Sequence, residues 1–288
     1  MVWNRPSRYG DLPDPYHRYS RARVVILPVP YDRSSSWQKG SRRGPAAIIE
    51  ASVHMELYDL ESGQEWYRMG IHTAAPVRAK RAPVMVKKVK DRVSGYLADG
   101  RFTVVLGGEH TVALGAVFAH HEFYPDLSVL HLDAHADTRD RYEGNPLSHA
   151  CVVARILERG LPVVSVGIRS MDRAEAGLER RGDLITAREI QEDRDWADRM
   201  LAGLSERVYV TLDLDVLDPG IMPATGTPEP GGMQWIPLID LLERVAKSRQ
   251  LVGFDVVELC PRQNRAPDFL AAKLIYKLIG FSLGGSGK

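Results

Sequence analysis

The chain reads as an α/β protein built on a mainly parallel sheet with helices on both faces. Three observations predict it. Short runs rich in Val, Ile and Leu alternate with helix-patterned segments along the chain, the spacing of β–α–β units. Runs such as RVYVTL (207–212) are β-branched and aromatic, the composition of a sheet interior. Ionisable residues gather where several such runs end, and the strand ends of an open parallel sheet are where ligands bind.

In order, an N-terminal extension (1–21) precedes a first strand, ARVVILPVP (22–30). Gly44-Pro45 opens a helix through PAAIIEASVHMELYDL (45–60), proline being favoured at the first helical position. The pattern then predicts a helix over 84–98, a strand at 101–106, a helix from 110, a strand at 127–133 and a helix from 148. Strands follow at 162–168 and, shorter, at 183–186, with a helix over 195–205. A strand at 207–213 leads into a long Pro/Gly-rich loop, then a helix at 237–248, a strand at 251–259 and a helix at 266–280. Crossovers between parallel strands are expected to be right-handed. With no internal repeat and no linker-like shift in composition, 22–282 is expected to be one catalytic domain, and 283–288 a flexible tail.

The 288 residues, 44% hydrophobic and 26% charged, suit one large domain or two small ones. No stretch approaches the roughly 18–20 apolar residues of a membrane span. The polar, proline-containing N-terminus lacks the apolar core of a secretory signal. With 38 basic against 37 acidic residues, neither nucleic acid nor an anionic membrane is a suggested partner. Two cysteines, Cys151 and Cys260, make no disulfide scaffold, and the cytoplasm is the expected compartment.

Four segments carry the chemistry. LGGEH (106–110) brings His110, LDAHAD (132–137) brings Asp133, His135 and Asp137, TLDLD (211–215) brings Asp213 and Asp215, and DVVEL (255–259) brings Glu258. Singly, each has a plainer reading: His110 as a helix-start residue, D-x-H-x-D as a turn of capping groups, D-x-D as one of many phosphate or magnesium patterns. Jointly they are hard to stabilise without cations, because side chains at i and i+2 of a strand share a face and close carboxylates repel, more so when desolvated. Two divalent ions would neutralise four aspartates, and carboxylates with some imidazole suit manganese or a similar first-row ion.

GGEH, LDAHAD and TLDLDVLDPGIMPATGTPEPGG (211–232) resemble the ureohydrolases, the arginase and agmatinase group, a likeness running from about residue 22 to 280. The resemblance implies a three-layer α/β/α fold with a mainly parallel eight-stranded sheet. It also implies hydrolysis of a guanidino group to an amine and urea at a binuclear manganese centre. It assigns His110, Asp133, Asp137 and Asp213 to one ion, and His135, Asp133, Asp213 and Asp215 to the other. His149 matches a proton shuttle, and Glu258 the carboxylate that pairs with the guanidinium. A homo-oligomer, trimer or hexamer, is implied as well. Two residues depart from the family pattern: Glu109 where aspartate is usual, and Ala150 where glycine is usual.

The chemistry suits the likeness. Guanidinium is a poor electrophile, a metal-activated water is a strong nucleophile, a carboxylate grips the planar cation through two hydrogen bonds, and an imidazole can protonate the leaving amine. DTRDRYEGNPLSHA (137–150) lacks the first asparagine of the segment by which arginases hold the amino-acid end of arginine. Agmatine is therefore the expected substrate, with N1-aminopropylagmatine, guanidinobutyrate or arginine as alternatives; Arg139 and Arg141 could pair with a substrate carboxylate.

Other residues are assigned plainer roles. Asp218 reads as a turn residue and Glu229 as a solvated loop carboxylate, with contact to a distal ammonium as its other reading. His131 is expected in the core or behind the ligands, and His120 and His121 at the surface; His17, His54 and His72 carry no pattern. Both cysteines are expected as buried thiols near the site. Trp3, Tyr9, Tyr16 and Tyr19 of the extension are candidates for packing on a neighbouring subunit. A non-catalytic binding subunit and a binuclear phosphoesterase are the rival classes. The first would usually lose a ligand, and the second would need Asn or further His ligands and a cationic phosphate clamp.

Overall fold

The structure, a computed structural model, describes residues 8–176 and 184–284. Its strands are β1 (Val24–Val29), β2 (Ile71–Thr73), β3 (Phe102–Gly107), β4 (Leu127–Leu132), β5 (Val163–Ile168), β6 (Leu184–Thr186), β7 (Arg207–Asp213) and β8 (Gln250–Val257). They form one sheet in the order β2-β1-β3-β8-β7-β4-β5-β6, and every pairing is parallel. The helices are α1 (Gly44–Ser52), α2 (Ala82–Ala98), α3 (Ala113–Phe123), α4 (Val152–Leu157), α5 (Ala187–Glu192), α6 (Trp196–Gly203), α7 (Trp235–Ser248) and α8 (Ala266–Gly284).

Three layers result. Ile48 and Ile49 of α1, Met200 of α6, Leu238 of α7 and Ile275 of α8 belong to a core on one face of the sheet. Met85 and Val89 of α2, Leu114 of α3 and Ile156 of α4 belong to the core on the other. The central strands, buried at nearly every position, read as continuous apolar runs because both faces are covered. The four strands that carry the ionisable motifs, β3, β8, β7 and β4, lie side by side. Segments far apart in sequence therefore end on one stretch of rim.

Several elements depart from the sequence expectation. The first helix stops at Ser52 rather than running to 60. The Ser52 hydroxyl donates back to the Ile49 carbonyl at 2.7 Å and accepts the Gly10 amide at 2.8 Å, ending the helix against the N-terminal segment. The three-residue β2 is too short to show a pattern in the sequence; its register on β1 pairs Val24 with Ile71. The two-turn α5 was not expected, although TARE carries a capping box, with Thr186 and Glu189 each satisfying the other's backbone. The last helix runs on to Gly284, beyond the expected 280.

Three aromatic residues of the extension, Tyr9, Tyr16 and Tyr19, pack on their own chain. Tyr9 is buried, its hydroxyl donating to the Ala272 carbonyl at 2.6 Å. Tyr16 meets Tyr67 edge-on, with ring centres 5.3 Å apart. Tyr19 lies against His72 and under the Arg101 guanidinium. Trp3 and the tail at 285–288 lie outside the described residues.

Candidate metal centre

Each ionisable side chain is set by a strand end and a local turn. Asp213 is the last residue of β7 and caps the 3-10 turn Leu214–Val216, its carboxylate accepting the Asp215 amide at 2.9 Å. Asp215 in turn accepts the Ala134 amide at 3.0 Å, tying the turn after β7 to the segment after β4. Asp133 follows β4 directly and accepts the His135 amide at 2.6 Å. Asp137 sits at φ 52°, a left-handed conformation that an aspartate tolerates better than most residues. His110 opens the turn His110–Val112 that feeds α3. Glu258, just past β8 at φ 65°, accepts the His110 amide at 2.8 Å. Carboxylates thereby tie the segment after β7 to the one after β4, and the end of β8 to the one after β3.

The carboxylates converge on two imidazoles. His110 Nδ1 lies 3.0 Å from Asp133 Oδ2, 3.2 Å from Asp137 Oδ2 and 3.5 Å from Asp213 Oδ2. His135 Nδ1 lies 3.0 Å from Asp215 Oδ2 and 3.5 Å from Asp133 Oδ1. Asp133 thus turns one oxygen to each ring. His131 is buried and in phase with Asp133, whose Oδ2 its Nε2 meets at 2.9 Å.

This arrangement is electrostatically unbalanced. Burial, then repulsion from Asp215, Asp133 and Glu258, raises Asp213 well above the usual carboxylate range. Burial and Asp133 raise Asp215 as well. Glu258 is pushed up to about 8, first by burial and next by Glu109. Burial opposes charge on His135, yet Asp215 and Asp133 override it and push the ring up to about 12. His110 Nδ1 is buried with no hydrogen bond to satisfy it, despite the three carboxylates around it. An unsatisfied ring nitrogen facing several carboxylate oxygens is the donor set of a divalent cation. The ligand atoms gather in two clusters, one of His110, His131, Asp133 and Asp137 and the other of Asp133, His135 and Asp215; Asp213 belongs to neither and stands beside the first, 3.5 Å from His110 Nδ1. The residues fit a pair of ions.

The eight residues singled out from the sequence, the six metal candidates with His149 and Glu258, all line one cleft of about 350 Å³. His149 is half-buried, its Nδ1 lying 3.2 Å from Ser148 Oγ and 3.4 Å from Ser34 Oγ. The Glu109 carboxylate accepts the Ser34 amide and hydroxyl, each at 2.6 Å, and so holds the loop that brings Ser34 beside His149.

Several mouth residues lie outside the sequence expectation or differ from it. Ser35, Trp37 and Gln38 line the cleft from a loop with no residue pattern to mark it, and Trp37 is 70% exposed. Tyr142, edge-on to His149 at 5.4 Å, and the buried Glu175 also line it. Glu175 carries the only hint, the D-x-x-E capping box with Asp172. Arg139 is engaged by Glu175 at 3.3 Å, and Arg141 pairs with Asp140 at the surface. Glu229, read as a solvated carboxylate, lines the cleft with an oxygen 3.9 Å from His135 Nε2. Asp218 is a turn residue as expected, accepting the amides of Gly220, Gly231 and Gly232. His120, expected at the surface, is fully buried; it follows an apolar helix face because its ring packs on Tyr209 and meets Thr103 Oγ1. Both cysteines are buried free thiols.

The sequence matches the arginase family over residues 22–280. It is 42% identical over 276 residues to the N(1)-aminopropylagmatine ureohydrolase of Thermus thermophilus, covering 94% of this chain and 93% of that protein. It is 38% identical over 275 residues to the Synechocystis enzyme of the same name, covering 91% and 90%. The crystal structure of the agmatine ureohydrolase of Thermoplasma volcanium superposes with a TM-score of 0.83 at 32% identity, covering 92% of this chain and 91% of that one. No helix among the described residues is long and apolar enough to cross a membrane.

Proposed function

The chain belongs to the arginase family and is a hydrolase, and from that premise we propose that it releases urea from a decarboxylated guanidino amine, N1-aminopropylagmatine first and agmatine second. One observation carries the reading: two imidazoles and four aspartates meet at the floor of a cleft whose wall holds a buried glutamate, Glu258, with no cationic partner among the described residues. His110, Asp133, Asp137 and Asp213 would hold one divalent ion, and His135, Asp133, Asp213 and Asp215 the second. The oxygen-rich donor set favours manganese. When bound, the ions supply a water acidic enough to attack at neutral pH and offset the buried carboxylates.

The chain's own groups do the rest. Glu258, whose carboxyl burial holds up at about 8, regains its charge against a guanidinium and holds that planar cation through parallel hydrogen bonds. Water oxygen adds to the guanidino carbon, and the bond from that carbon to the alkyl-bearing nitrogen breaks. His149, with Nδ1 facing Ser148 and Ser34, presents Nε2 to give that nitrogen its proton, so the products are urea and the free amine. At the mouth Glu229 and Asp172 face the cleft; Asp172 is shared with Arg139 at 3.7 Å, which leaves Glu229 for a distal ammonium. A longer polyamine arm offers two cationic nitrogens to this mouth, and agmatine one.

The longer substrate is supported by the names of the Thermus and Synechocystis relatives, and agmatine by that of the Thermoplasma protein. The family resemblance also supports a homo-oligomer and a cytoplasmic place in polyamine formation. The test is urea release by manganese-loaded protein from N1-aminopropylagmatine, agmatine, guanidinobutyrate and arginine side by side. The proposal expects the first two to lead by kcat/KM; arginine ahead by about tenfold, roughly 1.4 kcal/mol of transition-state preference, would overturn it.

A further inference from the structure

Behind His110 lies a buried polar row that the chemistry above does not use. Asp255 of β8, Thr211 of β7, His131 of β4 and Ser165 of β5 are successive register partners across the sheet, and all four are buried. Thr211 stands two residues before Asp213, on the same face of its strand. Its Oγ1 lies 2.9 Å from His110 Nε2 and donates to Asp255 Oδ1 at 2.8 Å. Neither Thr211 nor Asp255 lines the cleft.

Counting protons along this row fixes a tautomer. A hydroxyl has one hydrogen, and an ionised carboxylate only accepts. The Thr211 hydrogen therefore goes to Asp255, and Thr211 can meet His110 only as an acceptor. His110 Nε2 must then carry a hydrogen, and in the neutral ring Nδ1 carries the lone pair. Nδ1 is the atom that faces Asp133, Asp137 and Asp213. We propose that Asp255, acting through Thr211, holds His110 in the tautomer whose Nδ1 can bind a cation, so that both are positioning residues for the metal centre. The inference rests on reading His110 as a ligand. Groups that fix a ligating imidazole in this way typically govern affinity as well as orientation.

The decisive substitution is Asp255→Asn, nearly isosteric with the native side chain. An amide can donate to Thr211, which frees the Thr211 hydrogen to point at Nε2 and moves the ring proton onto Nδ1. A serine protease whose buried aspartate is changed to asparagine fails by the same logic, its geometry intact and its histidine in the wrong tautomer. Thr211→Val removes the link, and Thr211→Ser keeps it. Chelator competition with manganese should show the tighter equivalent weakened by about 10–100-fold in Asp255→Asn and Thr211→Val, and held within a few-fold in Thr211→Ser. With 15N-labelled histidine and diamagnetic zinc, the hydrogen-bonded Nε2–H resonance of His110 should persist in Thr211→Ser and move upfield in Thr211→Val. Native affinity in both Thr211→Val and Asp255→Asn, or a Thr211→Ser variant as weak as Thr211→Val, overturns the proposal. Should Asp255→Asn not fold, the serine and valine pair decides alone. A wild-type protein that binds neither metal would instead overturn the reading of His110 as a ligand.

Discussion

The floor and the mouth of the cleft are built in different ways. The floor consists of the first residues past β3, β4 and β8, the last residue of β7 and the turn after it, all but His135 nearly inaccessible to solvent. Their positions follow from the sheet order and are cross-tied by carboxylate-to-amide bonds such as Asp215 to Ala134 and Glu258 to His110. The mouth is loop: Trp37 at 70% exposure, the half-buried Tyr142, and Glu229 on a turn that Asp218 closes. The difference teaches a division of labour. On the proposed reading, the sheet sets the chemistry and the loops the choice of amine, because surface loops change without cost to the core.

That comparison can be broken by substitution, beginning at the floor. Asp213→Asn, by taking away a carboxylate proposed to hold both ions, is expected to cost about 4 kcal/mol of transition-state stabilisation, roughly a thousandfold in urea release. Elemental analysis should find at least one fewer ion per chain. Glu258→Gln is expected to lower kcat/KM by about a hundredfold through loss of a charge-assisted pair, with the bound metal unchanged. A Glu258→Gln protein that lost its ions would blur the separation of ligands from substrate grip.

The same glutamate sharpens the comparison through pH. Its carboxyl lies at about 8 in the folded chain against 4.5 for a free glutamate. Between those values the native state holds a proton that the unfolded state has released, so in metal-stripped protein this group makes stability fall as pH rises. Thermal unfolding of stripped wild type should show that decline from about pH 4.5 to 8, and Glu258→Gln should make it shallower, the raised Asp213, Asp215 and His135 supplying the remainder. Reloading manganese should raise Tm at neutral pH, since a ligand bound only by the folded state stabilises it.

Mouth substitutions should be far milder. Glu229→Gln is expected to raise KM for N1-aminopropylagmatine by up to about fivefold, the scale of a partly exposed ion pair of about 1 kcal/mol, with kcat held and the metal content intact. A large fall in kcat would move Glu229 from the mouth to the floor, as a support for His135.

What was legible in the sequence follows the same division. Asp133, Asp137, Asp213 and Asp215 stood out because a carboxylate closing an apolar strand carries a desolvation cost that a cation must offset, and adjacent strands bring the four together. Ser34, Trp37 and Glu175 did not, because polar and aromatic residues are ordinary in loops and their placement depends on tertiary contacts such as Glu109 to Ser34. His120 was misplaced because a helix that is apolar nearly all round has no surface face to predict. Nothing local in the sequence reveals that Tyr9 reaches Ala272 in the last helix. The Thr211–Asp255 link was invisible for the same reason: it exists only in the register of β7 on β8.

The most direct test of the central claim is a titration of metal-stripped protein with manganese, following urea release from N1-aminopropylagmatine. The two-cluster floor predicts no turnover in the stripped protein and activity that saturates at two ions per chain. Saturation at one ion, or urea release with none bound, would contradict it.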